Sequence, residues 1–150
     1  MFLIFIVVKQ MITTMDNVIN NIDYEAFDTS YAKALLSCGT DYKERGMKAQ
    51  ELIDYLCDIF SLPKLNIVVY NYKKLGKKCG VIYGFYDFRN IHIYNKIGGK
   101  AVLVSNKKFL DTLLHEFMHH YDINYLHIET RGHKEDFFNR IKDLTEKLTK

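Results

Sequence analysis

The sequence has no tryptophan, a single proline and only eight glycines among its 150 residues. No Pro/Gly/Ser linker divides it, and it contains no internal repeat or low-complexity segment. Its three cysteines, Cys38, Cys57 and Cys79, lie far apart without a CxxC pair. An odd, scattered set argues against a disulfide framework and against zinc-ribbon spacing, and it fits a reducing compartment. Charge of either sign is also modest, at a net +3 and a pI of about 8.6. That lies below the pI above about 9 expected of a dedicated nucleic-acid domain. It permits contact with a polyanion without requiring it.

Long hydrophobic runs are missing as well. The longest, MFLIFIVV at the start, is eight residues and is followed by Lys9 and Gln10. A membrane span needs about twenty apolar residues, and a signal peptide needs a basic start and a small-residue cleavage site. Residues 1–20 therefore read as an apolar N-terminal extension: a buried strand, a hydrophobic tail, or upstream sequence if the working start is Met11 or Met15. The expectation is a cytoplasmic, monomeric protein with no membrane span, its working domain covering residues 21–150.

What is present is enough for a core. Hydrophobic residues make up 48% of the chain and charged residues 26%, ordinary values for one globular domain. Apolar residues recur at helical spacing from Tyr42 to Phe60, ahead of Pro63, with a weaker helical pattern over Tyr24–Leu36. The period then changes. Leu65–Tyr70 is short and β-branched, Val81–Tyr86 and Asn90–Tyr94 alternate around a hairpin turn at Asp87–Asn90, and Ala101–Val104 suits a further strand. Helical spacing returns from Asn106 to about Tyr125, with Ser105 as N-cap, and again over Lys134–Leu148. The order predicts an α+β fold: an N-terminal helix, a small mostly antiparallel sheet, a histidine-bearing helix and a C-terminal helix.

Five of the six histidines fall between positions 115 and 133. Imidazole is the commonest protein ligand for transition metals. His115, Glu116 and His119 form H-E-x-x-H within the Asn106–Tyr125 helix. Residues four apart share a face, so both imidazoles can reach one ion. Glu116 can then approach a metal-bound water as general base. A catalytic zinc needs a third protein ligand. His133 is the chemically simplest choice, and His127, Glu129 and Glu135 are alternatives. His120 points about 100° away round the helix and reads as a support or a surface residue. His92, in an alternating strand, reads as a surface or core histidine. The third histidine of a metzincin would fall at Tyr125, which excludes that pattern. Asp122 reads as a solvated helix acid, or as an orienter of a ligand histidine.

HEFMHH, thirteen residues between His119 and His133, and then GHKEDFFNRI together resemble the SprT-like (Spartan-type) metallopeptidases. CGVIYGFYDFRNIHIYNK resembles the hairpin that precedes their metal helix, with Gly80 at its entrance. The likeness spans roughly residues 44–148, and the histidine motif is its specific part. It implies a zincin-like domain binding one Zn2+ through His115, His119 and His133. It also implies hydrolysis of peptide bonds in a protein or peptide substrate, with Glu116 activating the water. The paired cysteines of the C-terminal zinc ribbon that many of these proteins carry are absent, and the family's Gly-His-Gly is here Gly-His-Lys. The oxyanion donor expected beside the metal is Tyr121 or Tyr94. The strand NIHIY could offer its edge to an extended peptide.

Lys73, Lys74, Lys77 and Lys78 form a basic loop preceded by Tyr70 and Tyr72. Such a loop is usually only solvated, but with its aromatics it permits contact with single-stranded DNA; the resemblance points to proteins attached to DNA as substrates. Two other readings compete: a minimal gluzincin-like peptidase with no nucleic-acid role, and a non-catalytic zinc-stabilised binding module. An intact general base at Glu116 argues against the last.

Overall fold

Asp41 opens the longest core helix. Its side chain accepts hydrogen bonds from the backbone N–H groups of Lys43 and Glu44, satisfying donors that a helix start leaves unpaired. The helix runs Tyr42–Phe60 and ends where Ser61 turns into the left-handed region at φ 52°, just before Pro63. In this computed structural model, which describes residues 2–72, 83–98, 101–129 and 133–150, that helix is α3. Before it come α1 (Phe2–Asn20) and α2 (Ser30–Ser37). The apolar N-terminal segment is thus helical rather than a strand. Of its side chains, Leu3, Ile4, Val7 and Val8 are exposed, and its far end is what docks. Asn139 donates to Asn20 Oδ1, Arg140 donates to the Ile19 carbonyl, and Asp143 accepts from the Ile22 N–H. Among the described residues no helix is long and apolar enough to cross a membrane.

The helix expected over Tyr24–Leu36 starts later. Residues 24–27 have no regular secondary structure, and Asp28 Oδ1 accepts from Ser30 N just ahead of α2. That local bond competes with helix on its N-terminal side.

The sheet follows. Strands β1 (Asn66–Tyr70), β2 (Gly84–Tyr86) and β3 (Asn90–Tyr94) lie in the order β1-β3-β2. β3 pairs parallel with β1 and antiparallel with β2. A separate antiparallel pair joins β4 (Lys96–Ile97) to β5 (Val102–Leu103). The fold is α+β, as the element order predicts. β3 occupies the centre of the main sheet, so NIHIY has no free edge. Among the described residues the edge strands are β1 and β2, and this corrects the expectation for peptide docking.

Ile91 and Ile93 of β3 are buried in one core with Leu52, Ile53 and Leu56 of α3 and Phe109, Leu113 and Phe117 of α4 (Asn106–Tyr121). Ser105 caps α4 by accepting from Lys108 N. The helical path continues past Tyr121 as one π-helical turn, Asp122–Leu126, and α5 (Glu135–Leu148) closes the order. α5 has one strongly apolar face, which buries Phe137, Leu144 and Leu148.

Candidate metal centre

α4 brings His115 and His119 onto one face, as residues four apart must be. α5 contributes His133 from just ahead of its first turn. The three rings offer nitrogens that all lie within 4.8 Å of one another. His119 Nε2 and His133 Nε2 are 3.0 Å apart. Two lone pairs at that distance tolerate each other only with a positive centre between them, either a proton on one ring or a shared cation. Nitrogens on one tetrahedral zinc, each about 2.0–2.1 Å from the ion, stand about 3.3 Å apart. The three donors are close enough to hold one metal ion, and an all-imidazole set suits a transition metal such as zinc.

The surroundings keep the two helix rings, His115 and His119, neutral. Burial pushes His115 and His119 down to about 4, with the His133 imidazole adding to the effect on His115 and the other two rings adding to it on His119. A neutral imidazole is the form that binds metal. Phe137, buried on α5, lies under all three rings, with centroid distances of 5.1 Å to His115, 4.8 Å to His119 and 5.0 Å to His133. This apolar floor limits solvent access to the donors. His133 itself has φ 42°, a left-handed conformation that costs a non-glycine residue on the order of 1 kcal/mol. Strain of this kind concentrates at functional sites.

Glu116 lines the same cleft. Burial alone raises its carboxyl to about 7, so near neutrality it can both take and release a proton. The cleft has two wings that share Gly84, His115 and Glu116. One, of about 770 Å³, extends past His119 and includes Tyr86, Phe88, Ile123 and Ile128. The other, of about 520 Å³, extends past His115 and includes Tyr83, Lys108 and Asp111. Strand β2 borders both.

Several sequence expectations resolve differently. His127 and Glu129 line the first wing, but the group able to hold an ion is His115, His119 and His133. Glu135 lies in the first turn of α5 and lines neither wing. His120 is fully buried. Its Nε2–H donates to the Pro63 carbonyl at 2.8 Å, which leaves Nδ1 to accept from the Tyr86 hydroxyl at 2.8 Å. It ties α4 to β2 and is neither a ligand nor a surface group. Asp122 is buried in an ion pair with Arg140 and touches no ligand histidine.

The two tyrosines expected as oxyanion donors also lie elsewhere. The Tyr121 hydroxyl accepts from Asp23 N, and Tyr94 packs against Tyr70 and Tyr72. His92 bridges Asp87 and Tyr70 at 2.8 Å each, well into the sheet. Lys73, Lys74, Lys77 and Lys78, with Cys79 and Gly80, lie outside the described residues. Sequence reasoning did not single out Gly84, Tyr86, Phe88 or Phe137 for the site. The glycine interrupting the alternating YGFY was the one signal for a close backbone approach. A Cβ there would stand 2.5 Å from the His92 carbonyl oxygen and 3.0 Å from Thr112 Cγ2.

No protein-family model matches the chain, and no curated protein and no solved structure matches it either.

Proposed function

We propose that the protein is a zinc-dependent metallopeptidase of the SprT-like, zincin type, holding one Zn2+ through His115, His119 and His133. The observation that carries this reading is the convergence of three imidazoles, His115 and His119 of them held neutral by burial, beside a carboxylate poised near neutrality, in a cleft that strand β2 borders. A bound zinc ion would supply Lewis-acid polarisation of the carbonyl and acidification of water.

The chain's own residues do the rest. Burial keeps His115 and His119 neutral, and Phe137 packs against all three rings and helps to orient them. β2, paired on one side only among the described residues, offers backbone groups to an extended peptide running through the cleft. Glu116 takes a proton from the attacking water and returns it to the departing amine, a task suited to a group near 7. The general base separates this reading from a zinc-stabilised binding module, for which a buried carboxylate beside the ligands is only a cost.

Action on DNA-associated proteins is the finer part of the proposal. It rests on the lysine segment at positions 73–78 and on Tyr72, which leads into it and is 62% exposed. The test is proteolysis of a DNA-binding protein and of the chain itself by zinc-loaded wild type and Glu116→Gln, with and without single-stranded DNA. Cleavage that needs Glu116 and DNA supports the whole reading. Cleavage that needs Glu116 alone removes the nucleic-acid role. No Glu116-dependent cleavage by folded, zinc-bound protein overturns the peptidase.

A further inference from the structure

Phe88 sits at the tip of the β2–β3 hairpin with φ 75° and its ring 67% exposed. Both features are unfavourable. A bulky side chain in the left-handed region is strained, and an aromatic ring left in water forgoes its burial. The turn does not let the residue relax. Asp87 Oδ1 accepts from Arg89 N at 3.1 Å and Asn90 N at 2.7 Å, Asp87 N donates to the Asn90 carbonyl at 3.1 Å, and Asp87 Oδ2 is held by His92. Phe88 is fixed at the tip, and among the described residues its ring contact is with Tyr86.

The Phe88 ring leans on Tyr86 with centroids 5.4 Å apart, and the Tyr86 ring lies nearly parallel to His119 at 6.3 Å. An aromatic wall thus runs from the hairpin tip to the metal centre. The Tyr86 hydroxyl, the polar atom of its Phe88–Tyr86 part, is bonded to His120 Nδ1. Ile123 and Ile128, set by the π-helical turn, line the same wing. His127 and Glu129 lie on the same wing; the wing on the far side of His115 holds Lys108, 4.3 Å over the Tyr83 ring, and Asp111.

We propose that the wing beside His119 is a binding site for one bulky apolar side chain, aromatic or long aliphatic, of a peptide substrate, and that Phe88 sets this preference. The proposal rests on the peptidase reading and names its substrate class: peptides carrying Phe, Leu or Met next to the scissile bond on the His119 side. Enclosing such a side chain between Phe88, Tyr86, Ile123 and Ile128 favours it over alanine by about tenfold.

The test is binding, measured separately from cleavage. Fluorescein-labelled seven-residue alanine peptides with a central Phe, Leu, Ala or Lys are titrated against full-length Glu116→Gln protein, metal-free and zinc-loaded, by fluorescence polarisation. The expected result is a preference of about tenfold for Phe and Leu over Ala. It should fall to within about threefold when Phe88→Asn is added. Asparagine tolerates the left-handed turn better than phenylalanine, so this variant removes the ring and keeps the hairpin, and its thermal midpoint should be no lower. Equal binding of Phe and Ala peptides, tighter binding of Lys, no binding of any peptide, or a preference that survives Phe88→Asn each overturn the proposal. Cleavage of the same peptides by Glu116-intact, zinc-loaded protein tells the two ideas apart. Selective binding without cleavage sinks the peptidase and keeps the apolar site. Glu116-dependent cleavage without selectivity does the reverse.

Discussion

Asp122 and Arg140 form an ion pair closed off from solvent, with Arg140 Nη2 2.6 Å from Asp122 Oδ2 and Nε 2.9 Å from Oδ1. The pair joins the end of the helix that carries His115 and His119 to α5, whose start carries His133. Arg140 also donates to Asp136 and to the Ile19 carbonyl, so one guanidinium ties α1, α4 and α5 together close to the three histidines. Breaking a buried pair from one side leaves a charge without a partner, which costs about 3–5 kcal/mol, whereas replacing both partners by apolar groups is often far milder. Arg140→Met should therefore lower stability by about that amount in urea denaturation. The double variant Asp122→Leu, Arg140→Met should recover a large part of it. A double variant as unstable as the sum of its singles would show that the pair is not coupled.

Zinc should act as a clamp between α4 and α5. A ligand that binds only the folded state at about a thousand times its Kd adds about 4 kcal/mol to stability. The thermal midpoint should rise on adding Zn2+ to chelator-treated protein and fall back with EDTA. Mg2+, which prefers oxygen donors, should leave it unmoved. His133→Ala removes the donor from α5 and should abolish most of the zinc-dependent rise, although its side chain is exposed and its loss costs the metal-free fold little. A full zinc response in His133→Ala would point to another third ligand, with Glu129 of the neighbouring wall next in line.

The metal-free protein should carry the signature of Glu116 in its pH dependence. Burial lifts this carboxyl from 4.5 to about 7, so between those values the folded state keeps a proton that the unfolded chain has lost. More protons bound in the folded state means stability falls as pH rises through that window. His115 and His119 work in the opposite sense. Lowered from 6.5 to about 4, they leave the unfolded chain holding the extra protons, so their contribution grows as pH rises through that range. Comparing wild type with Glu116→Gln cancels the histidines. In EDTA the variant should melt higher than wild type at pH 8 and match it at and below about pH 4.5, the unperturbed carboxyl value. A difference that stays constant with pH would mean the carboxyl is not desolvated in the fold.

Helix α3, the histidine helix, the 87–90 turn and the His115–Glu116–His119 face were legible because each rests on local rules: an Asp or Ser cap, a 3.6-residue period, an Asx-type turn. His133 was legible only as chemistry, since no period connects it to the helix motif. What joins it to His119 at 3.0 Å is the packing of α5 through Phe137. The misread residues share one cause. Asp122 and His120 looked like surface groups because their partners, Arg140 on α5 and the Pro63 carbonyl with Tyr86, come from distant parts of the chain. NIHIY looked like an edge because strand order depends on a parallel β1–β3 pairing, which alternation alone cannot reveal.

Gly84 lies where that tertiary packing is tightest. It pairs with Ile93 at the start of β2 and borders both wings of the cleft. Its missing side chain lets the strand approach α4. A Cβ at this position would meet the His92 carbonyl oxygen at 2.5 Å and Thr112 Cγ2 at 3.0 Å. The threonine methyl can yield slightly, but the carbonyl belongs to the neighbouring strand and cannot move without opening the ladder. Gly84→Ala should thus cost about 1–3 kcal/mol, as overpacking does, despite the gain in strand propensity that alanine normally brings over glycine. If β2 also receives the substrate, the variant should lose affinity for the fluorescein-labelled Phe peptide by more than its fall in stability explains. The comparison is made well below its thermal midpoint, where the protein is folded. Unchanged stability would mean that the strand can shift outward freely, and with it the edge proposed to hold the peptide.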